Sequence, residues 1–151
     1  MGRPSIYPTG VTIYDREKAW NGYTLLPGPG GAVLIDMNGR AVRLWKGVTG
    51  MPVKLLPGGH IMGASGERKA KYAFQDNLDL IQADWDGNVV WSFDKNEYIK
   101  DPGEAARWMA RQHHDFQREG SETGYYCPGR EPLTEAGNTI ILTHCNRVVP
   151  E

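Results

Sequence analysis

The feature that most constrains the fold is a twelve-residue stretch that occurs twice. "LIDMNGRAVRLW" (34–45) aligns without gaps with "QADWDGNVVWSF" (82–93), 48 residues further along the chain. In each copy an apolar strand leads into Asp-x-(Asn/Asp)-Gly, and an Asn-Gly or Asp-Gly pair favours a tight type I′ hairpin turn. A second strand that ends in an aromatic residue then follows. Two matched hairpins at a period of about 40–50 residues predict the blades of a β-propeller.

The other strand patterns extend this repeat to about two and a half four-stranded blades. The predicted strands are 22–27, 31–37 and 40–46 in blade one, and 51–56, 59–64, 77–84 and 88–94 in blade two. Blade one is placed at about 11–47, blade two at about 51–95 and the start of blade three at 113–146. The predicted fold class is therefore all-β, a partial β-propeller that forms a single domain over 1–151.

One short helix is predicted between blades two and three, at 102–112. Asp101 would be its N-cap, Pro102 would occupy the first helical position and Glu104 the third, which is the pattern of a capping box. The alanines and the methionine that follow favour a helix. This helix would lead the chain directly into blade three.

The composition excludes several classes of partner. The chain has 17 Lys+Arg and 18 Asp+Glu, so it offers no basic surface for nucleic acid. No stretch has the apolar length of a membrane span or the pattern of a signal peptide. We therefore expect no nucleic acid and no membrane as partners, and a cytoplasmic location. The two cysteines, Cys127 and Cys145, do not define a disulfide framework.

The length raises a question about completeness. A closed propeller needs at least about 170 residues and more often about 250, whereas this chain has 151. An open propeller would expose unpaired strand edges, which promote aggregation. We therefore expect either that a complementary chain completes the propeller or that its C-terminal half is missing here. A compact single β domain is the alternative.

The four histidines are the main candidate functional residues. His60 opens the second strand of blade two, His113 and His114 open the first strand of blade three, and His144 ends the strand that pairs with it. The innermost strand of each propeller blade lines the central channel. Because neighbouring residues of a regular strand point to opposite faces, only one of His113 and His114 should face this channel. Asp115 could orient one of their rings. We predict His114, His113 and His60 as catalytic residues.

Four further residues are candidates beside them. Arg147 is a predicted catalytic residue because a guanidinium matches a tetrahedral oxyanion, although it could equally be a solvated arginine. Tyr125 and Tyr126, on a long loop, could line a pocket for a flat aromatic substrate or could anchor the loop. His144 and Asn146 are predicted to bind substrate with them. No cofactor is predicted; the alternative is a transition metal ion held by His60, His114 and His144, whose spacing matches no compact metal motif.

Several segments resemble the N-terminal half of the bacterial arylsulfotransferase-like family. They are "YDREKAWNGYTLLPGPGGAVLIDMNGRAVRLW", "KLLPGGHIMG", "DWDGNVVWSF", "HHDFQREG" and "GNTIILTH", and together they cover about residues 11–146. The most specific piece is "HHDFQ" followed by "GNTIIL". The hairpins are less specific evidence for this resemblance, because many propellers share hairpins of this kind.

This resemblance implies a six-bladed propeller with its active site in the central channel. Members of the family move a sulfuryl group from a phenolic sulfate ester to another phenol through a sulfated histidine, and further histidines and an arginine hold the sulfate oxygens. On this resemblance His60, His114 and Arg147 are expected to line the channel. The sulfated histidine is expected in a later part of the fold.

Three functions follow as hypotheses. The first is part of an arylsulfotransferase-like enzyme that acts on small phenolic or other aromatic compounds. The second is a metal-dependent propeller enzyme with histidine ligands in the channel. The third, from a different class, is a non-catalytic propeller segment that scaffolds a partner.

Overall fold

The computed structural model describes residues 11–28, 30–68, 76–121 and 129–147. Within these ranges the regular structure consists of strands and one turn of 3₁₀-helix at Pro57–Gly59, with no α-helix. The strands form four separate antiparallel sheets. No helix in these ranges has the length and apolar character needed to cross a membrane. The all-β class predicted from the sequence is confirmed.

The first sheet is a meander of three consecutive strands. It contains β1 (Thr24–Gly28), β2 (Gly31–Ile35) and β3 (Ala41–Lys46), in that order. Gly31 has a φ of 140°, and a Cβ there would lie 2.0 Å from the carbonyl oxygen of Trp45. Only glycine therefore fits at the start of β2, where the backbones of β2 and β3 come close together.

The second sheet is a meander of four strands, the number found in a propeller blade. It contains β4 (Thr49–Leu55), β5 (Ile61–Ala64), β6 (Leu80–Ala83) and β7 (Val89–Phe93), in that order. These strands confirm the four predicted in this region; β4 begins two residues earlier than predicted, and the other three are shorter. The Pro57–Gly59 turn joins β4 to β5, as the sequence predicted.

The sequence repeat is visible in the geometry of the two hairpin turns. Asp36 Oδ1 accepts hydrogen bonds from the backbone N–H groups of Asn38 and Arg40, at 2.8 and 2.9 Å. Asp84 Oδ1 accepts the equivalent bond from the N–H of Asn88, at 2.8 Å. Each hairpin also has its register shift at the same repeat position, after Leu34 in the first sheet and after Gln82 in the second. The two copies therefore have the same local structure.

The main hydrophobic core lies between these two sheets. Its buried residues are Ala32, Leu34, Trp45, Val48, Ile61, Ile81 and Ala83. Trp45 is 0 % exposed, its indole N–H donates to the carbonyl of Asp84 at 2.9 Å, and its ring meets the ring of Trp85 edge-on at 5.4 Å. The aromatic residue that ends the first repeat thus packs against the turn of the second repeat.

The helix predicted at 102–112 is wrong. The chain instead forms a third sheet, a hairpin of β8 (Glu97–Ile99) and β9 (Arg107–Met109). The Asp101 side chain, predicted as the N-cap, binds the guanidinium of Arg68. The facing rings of Tyr98 and Trp108 lie 5.5 Å apart across the hairpin. Helix propensity is a weak preference, and here an ion pair and cross-strand packing override it.

The fourth sheet pairs β10 (Gln112–Arg118) with β11 (Thr139–Thr143). Phe116 of β10 is buried with Leu56, Met62 and Leu80, so this sheet packs on the second one. The pairing is irregular between Gln112 and Phe116, where the register shifts. His113 and His114, the adjacent histidines predicted as site residues, both lie inside this irregular stretch.

Trp45 should be essential to the packing of the first two sheets. We expect Trp45→Ala to lower the free energy of unfolding by about 3–5 kcal/mol, because it removes a fully buried indole and leaves a cavity. The matched control is Trp20→Ala, since Trp20 is 93 % exposed, and it should change stability by less than about 0.5 kcal/mol. Urea unfolding of both variants measures the difference; similar losses would contradict the packing described.

Candidate functional site

Two of the four histidines meet at one buried carboxylate, and a third adjoins one of them. Asp76, just before β6, is 0 % exposed and lies beside His113 of β10 and His144, which follows β11. Backbone bonds hold these segments together: the N–H of Asn77 donates to the carbonyl of Gln112 at 2.9 Å. We call Asp76, His113 and His144 the Asp–His cluster.

The two oxygens of Asp76 have different partners. Oδ1 lies 2.5 Å from His144 Nδ1 and 4.0 Å from His113 Nδ1. Oδ2 accepts a hydrogen bond from Arg111 Nε at 3.0 Å and lies 3.6 Å from Arg68 Nη1. One oxygen therefore faces the histidines while the other is held by two guanidiniums.

Further ion pairs hold the two arginines. Arg68 is bonded through Nε, at 3.0 Å, and through Nη2 to the carboxylate of Asp101. Arg111 Nη1 donates to Glu97 at 2.6 Å and to the side-chain oxygen of Asn146 at 2.9 Å. Burial opposes the charge of Arg111, but the hydrogen bonds that it donates to Glu97 and Asp76 outweigh this effect and keep its pKa above the ordinary value. Both guanidiniums are therefore held in place by carboxylates.

His113 and His114 lie on the same side of the strand, contrary to the sequence prediction. Their ring centroids are 3.9 Å apart, and the ring of His144 is 4.2 Å from that of His113. The cause is in the backbone: His114 has a φ of 66° and Arg111 a φ of 52°, and no other described residue except glycine has a positive φ. This irregular stretch abolishes the alternation of side chains that a regular strand would impose.

Asp115 does not orient a histidine ring in this arrangement. Its carboxylate binds Lys54 Nζ at 2.5 Å and the backbone N–H of Phe116 at 2.8 Å. The hydrogen bond from Lys54 lowers the pKa of Asp115. The tautomer of a histidine is set instead by Asp76, whose bond to His144 Nδ1 favours a proton on that nitrogen and makes Nε2 the basic atom.

His60 lies away from the other histidines. It precedes β5 at the end of the second sheet where Ile61 pairs with Ala83, whereas Asp76 precedes β6 at the opposite end. Its Nδ1 accepts a hydrogen bond from Gln82 Nε2 at 3.1 Å, and burial lowers its pKa, against a smaller opposing effect of Asp84. The structure therefore does not bring together His60, His114 and His144 as a metal site.

The remaining predicted site residues have different positions. Asn146 is linked to the Asp–His cluster through Arg111. Arg147 is exposed, and so is Cys145. Tyr125 and Tyr126 lie outside the described residues. Of the predicted residues, the structure thus brings together His113, His114, His144 and Asn146.

The sequence reasoning missed the charged residues that organise this site, Asp76, Arg111 and Arg68. The predicted helix at 102–112 contains Arg111 and so gives no reason to place its side chain beside the histidines that follow it. Asp76 lies at the end of a polar segment without a motif. A signal was nevertheless present, because an acid just before a buried strand needs a cationic partner.

A cavity of about 280 Å³ lies at the C-terminal end of β10, away from the Asp–His cluster and next to Leu56 and Leu133. Arg118 lines it and is 4 % exposed. Its guanidinium donates to the carbonyls of Thr134 and Ala136, at 3.2 and 3.1 Å, and lies 4.9 Å from the ring of Trp91. These contacts show that Arg118 fastens the segment before β11 to the rest of the fold.

No protein-family model, curated protein or solved structure matches this chain. The resemblance to the arylsulfotransferase-like family therefore stays a prediction from the sequence. The function has to be inferred from the Asp–His cluster and the charged residues around it.

Asp76 should be a major determinant of stability. We expect Asp76→Asn to lower the free energy of unfolding by about 3–5 kcal/mol, because it leaves the buried Arg111 and Arg68 without their shared counter-ion. The control is Asp115→Asn, which breaks an exposed pair with Lys54 and should cost no more than about 1 kcal/mol. Urea unfolding at neutral pH compares them; equal losses would show that the buried network contributes little.

His60 should make stability depend on pH. Its pKa in the folded protein lies below the ordinary value of 6.5, so below pH 6.5 the unfolded chain binds more protons and the free energy of unfolding falls with pH. This loss of stability ends once the pH is below the pKa of His60 in the folded protein. We expect the loss between about pH 7.5 and about pH 5 to be smaller in His60→Gln than in the wild type. Equal losses in urea unfolding would contradict this role.

Proposed function

We propose that this chain is part of an enzyme of the arylsulfotransferase-like kind, which transfers a sulfuryl group between small phenolic compounds. The observation that carries the proposal is the Asp–His cluster, in which a buried carboxylate orients His144 and the ring of His113 contacts the rings of both His144 and His114. An imidazole fixed by a carboxylate at Nδ1 is a standard device for proton transfer and for nucleophilic attack through Nε2.

The sheets support the propeller part of the proposal. The first and second sheets repeat the same hairpin and pack face to face, as neighbouring blades do. The fourth sheet has two strands among the described residues, and its β11 exposes Ile140 and Leu142. We propose that these sheets are blades of a six-bladed propeller in the cytoplasm, and that further strands from a complementary chain complete it.

The proposed reaction has two balanced steps. In the first, a histidine nitrogen forms a bond to sulfur while the bond between sulfur and the phenolic oxygen breaks, and the released phenolate takes up a proton from solvent water. In the second, the oxygen of an acceptor phenol attacks sulfur, the nitrogen–sulfur bond breaks and the phenolic proton passes to a base. We assign the base to His144, because Asp76 stabilises the imidazolium that forms when Nε2 accepts the proton. The sulfated histidine is assigned to the complementary part of the propeller.

His113 and His114 are assigned to substrate binding in this scheme. Their rings stand side by side next to His144, at the start of β10. Ring N–H groups in this position can donate to the oxygens of a sulfuryl group as negative charge redistributes during transfer. The ion pairs of Arg111 keep the backbone of this stretch in its unusual conformation.

Sulfuryl transfer by the complete assembly tests the proposal. Native mass spectrometry of the purified protein first identifies any complementary chain. With p-nitrophenyl sulfate as donor and phenol as acceptor, His144→Gln should lower kcat by about 10²–10⁴-fold, the usual contribution of a general base. Asp86→Asn, on the exposed turn at the other end of the second sheet, is the charge-removing control and should leave kcat unchanged.

Two results would overturn the proposal. One is that the wild-type assembly forms neither phenyl sulfate nor a sulfuryl adduct detectable by intact mass. The other is that His144→Gln retains full activity. Full activity of this variant would show that His144 of the Asp–His cluster does not transfer the proton.

A further inference from the structure

The charges around the Asp–His cluster favour a cation. Hydrogen bonds connect two arginines, Arg68 and Arg111, with three carboxylates, those of Asp76, Asp101 and Glu97. With neutral histidines this connected network carries one net negative charge. A bound cation would reverse the sign of the site.

We propose that the Asp–His cluster binds a divalent transition metal ion. One ligand atom from each of Asp76, His113 and His144 can be chosen so that all three lie within 4.8 Å of one another. Ligands at about 2.0–2.2 Å from one tetrahedral ion are roughly 3.3–3.6 Å apart. The 4.0 Å between Asp76 Oδ1 and His113 Nδ1 needs a small contraction. The 2.5 Å between Asp76 Oδ1 and His144 Nδ1 needs an extension of about 1 Å, in which the ion takes the place of the proton between these two atoms.

An unsatisfied polar atom points to the same ion. His113 Nδ1 is buried and has no hydrogen-bond partner among the residues that the structure describes. Leaving a buried polar atom in this state costs about 1–3 kcal/mol. Coordination of a metal by a ring nitrogen of His113 gives this side chain a partner at the point where Asp76 and His144 converge.

The surroundings of Asp76 also match those of a metal ligand. Carboxylates that bind metals are usually hydrogen-bonded on their other oxygen, which fixes the direction of the ligating one. Here Arg111 and Arg68 hold Oδ2, and Oδ1 faces both histidines. The arginines therefore act as positioning residues for Oδ1.

The ligand types determine the class of ion. Two imidazole nitrogens and one carboxylate oxygen suit zinc or iron(II), whereas calcium and magnesium prefer oxygen ligands alone. Three protein ligands leave a coordination position for a substrate oxygen. Metal binding itself is independent of the proposed reaction. A divalent ion would change the network from one net negative to one net positive charge, and in the ion-bound form His144 is a ligand, so its assignment as a base applies to the ion-free protein.

Metal titration of the full chain, with any chain that copurifies with it, tests the inference. After treatment with a chelator, the protein should bind one Zn²⁺ per chain in isothermal titration calorimetry. Co²⁺ should add visible absorption bands typical of a low-coordinate site. Loss of partners that only support metal ligands already weakens binding by about 10–100-fold, so His113→Gln and His144→Gln should each weaken Zn²⁺ binding by at least roughly 100-fold.

The control for these variants is His60→Gln. It removes one histidine as they do, but His60 lies at the opposite end of the second sheet, so the affinity should stay at the wild-type value. Circular dichroism of each metal-free variant shows that it is folded. Absence of stoichiometric binding, or equal affinities in all three variants, would overturn the metal site.

The two proposals fail in different ways. Absence of stoichiometric metal binding, together with sulfuryl transfer that depends on His144, would overturn the metal site and leave the proposed function standing. Stoichiometric binding that depends on His113 and His144, without any sulfuryl transfer, would support the metal site and overturn the proposed function.

Discussion

The buried carboxylate of Asp76 is the interaction on which the arrangement of the sheets depends. It precedes β6, and its partners lie on other parts of the chain: Arg111 just before β10, His144 just after β11, and Arg68 beyond β5. Arg111 also reaches Glu97 in β8. One carboxylate thus connects the second, third and fourth sheets at a single point.

Such a network contributes more to specificity than to stability. Desolvation of the buried ions offsets much of their attraction, but removing one partner leaves an uncompensated charge. The chain has therefore few alternative ways to place β10 against the second sheet. The network also stabilises the positive φ angles of Arg111 and His114, which are unfavourable for residues with a side chain. This local strain places two neighbouring histidine rings on one side of the strand.

Some elements could be predicted from the sequence because their causes are local. The turns at Asp36 and Asp84 form through hydrogen bonds that each carboxylate accepts from backbone N–H groups two or four residues away. The predicted helix shows the limit of this reasoning. Its capping residue Asp101 forms an ion pair with Arg68, which is 33 positions away, and its Trp108 packs on Tyr98. Neither contact can be read from local propensity.

By itself, the sequence determined the all-β class and the two matched hairpins, and it singled out the histidines as candidate site residues. Only the tertiary structure decided which histidines lie together and which acid lies beside them. The physical reason is distance along the chain: Asp76 and His144 are 68 positions apart, and a contact of this kind depends on how the sheets pack. His60, which the sequence grouped with the others, is separated from them by the length of a strand, because antiparallel pairing places its turn at the opposite end of the sheet.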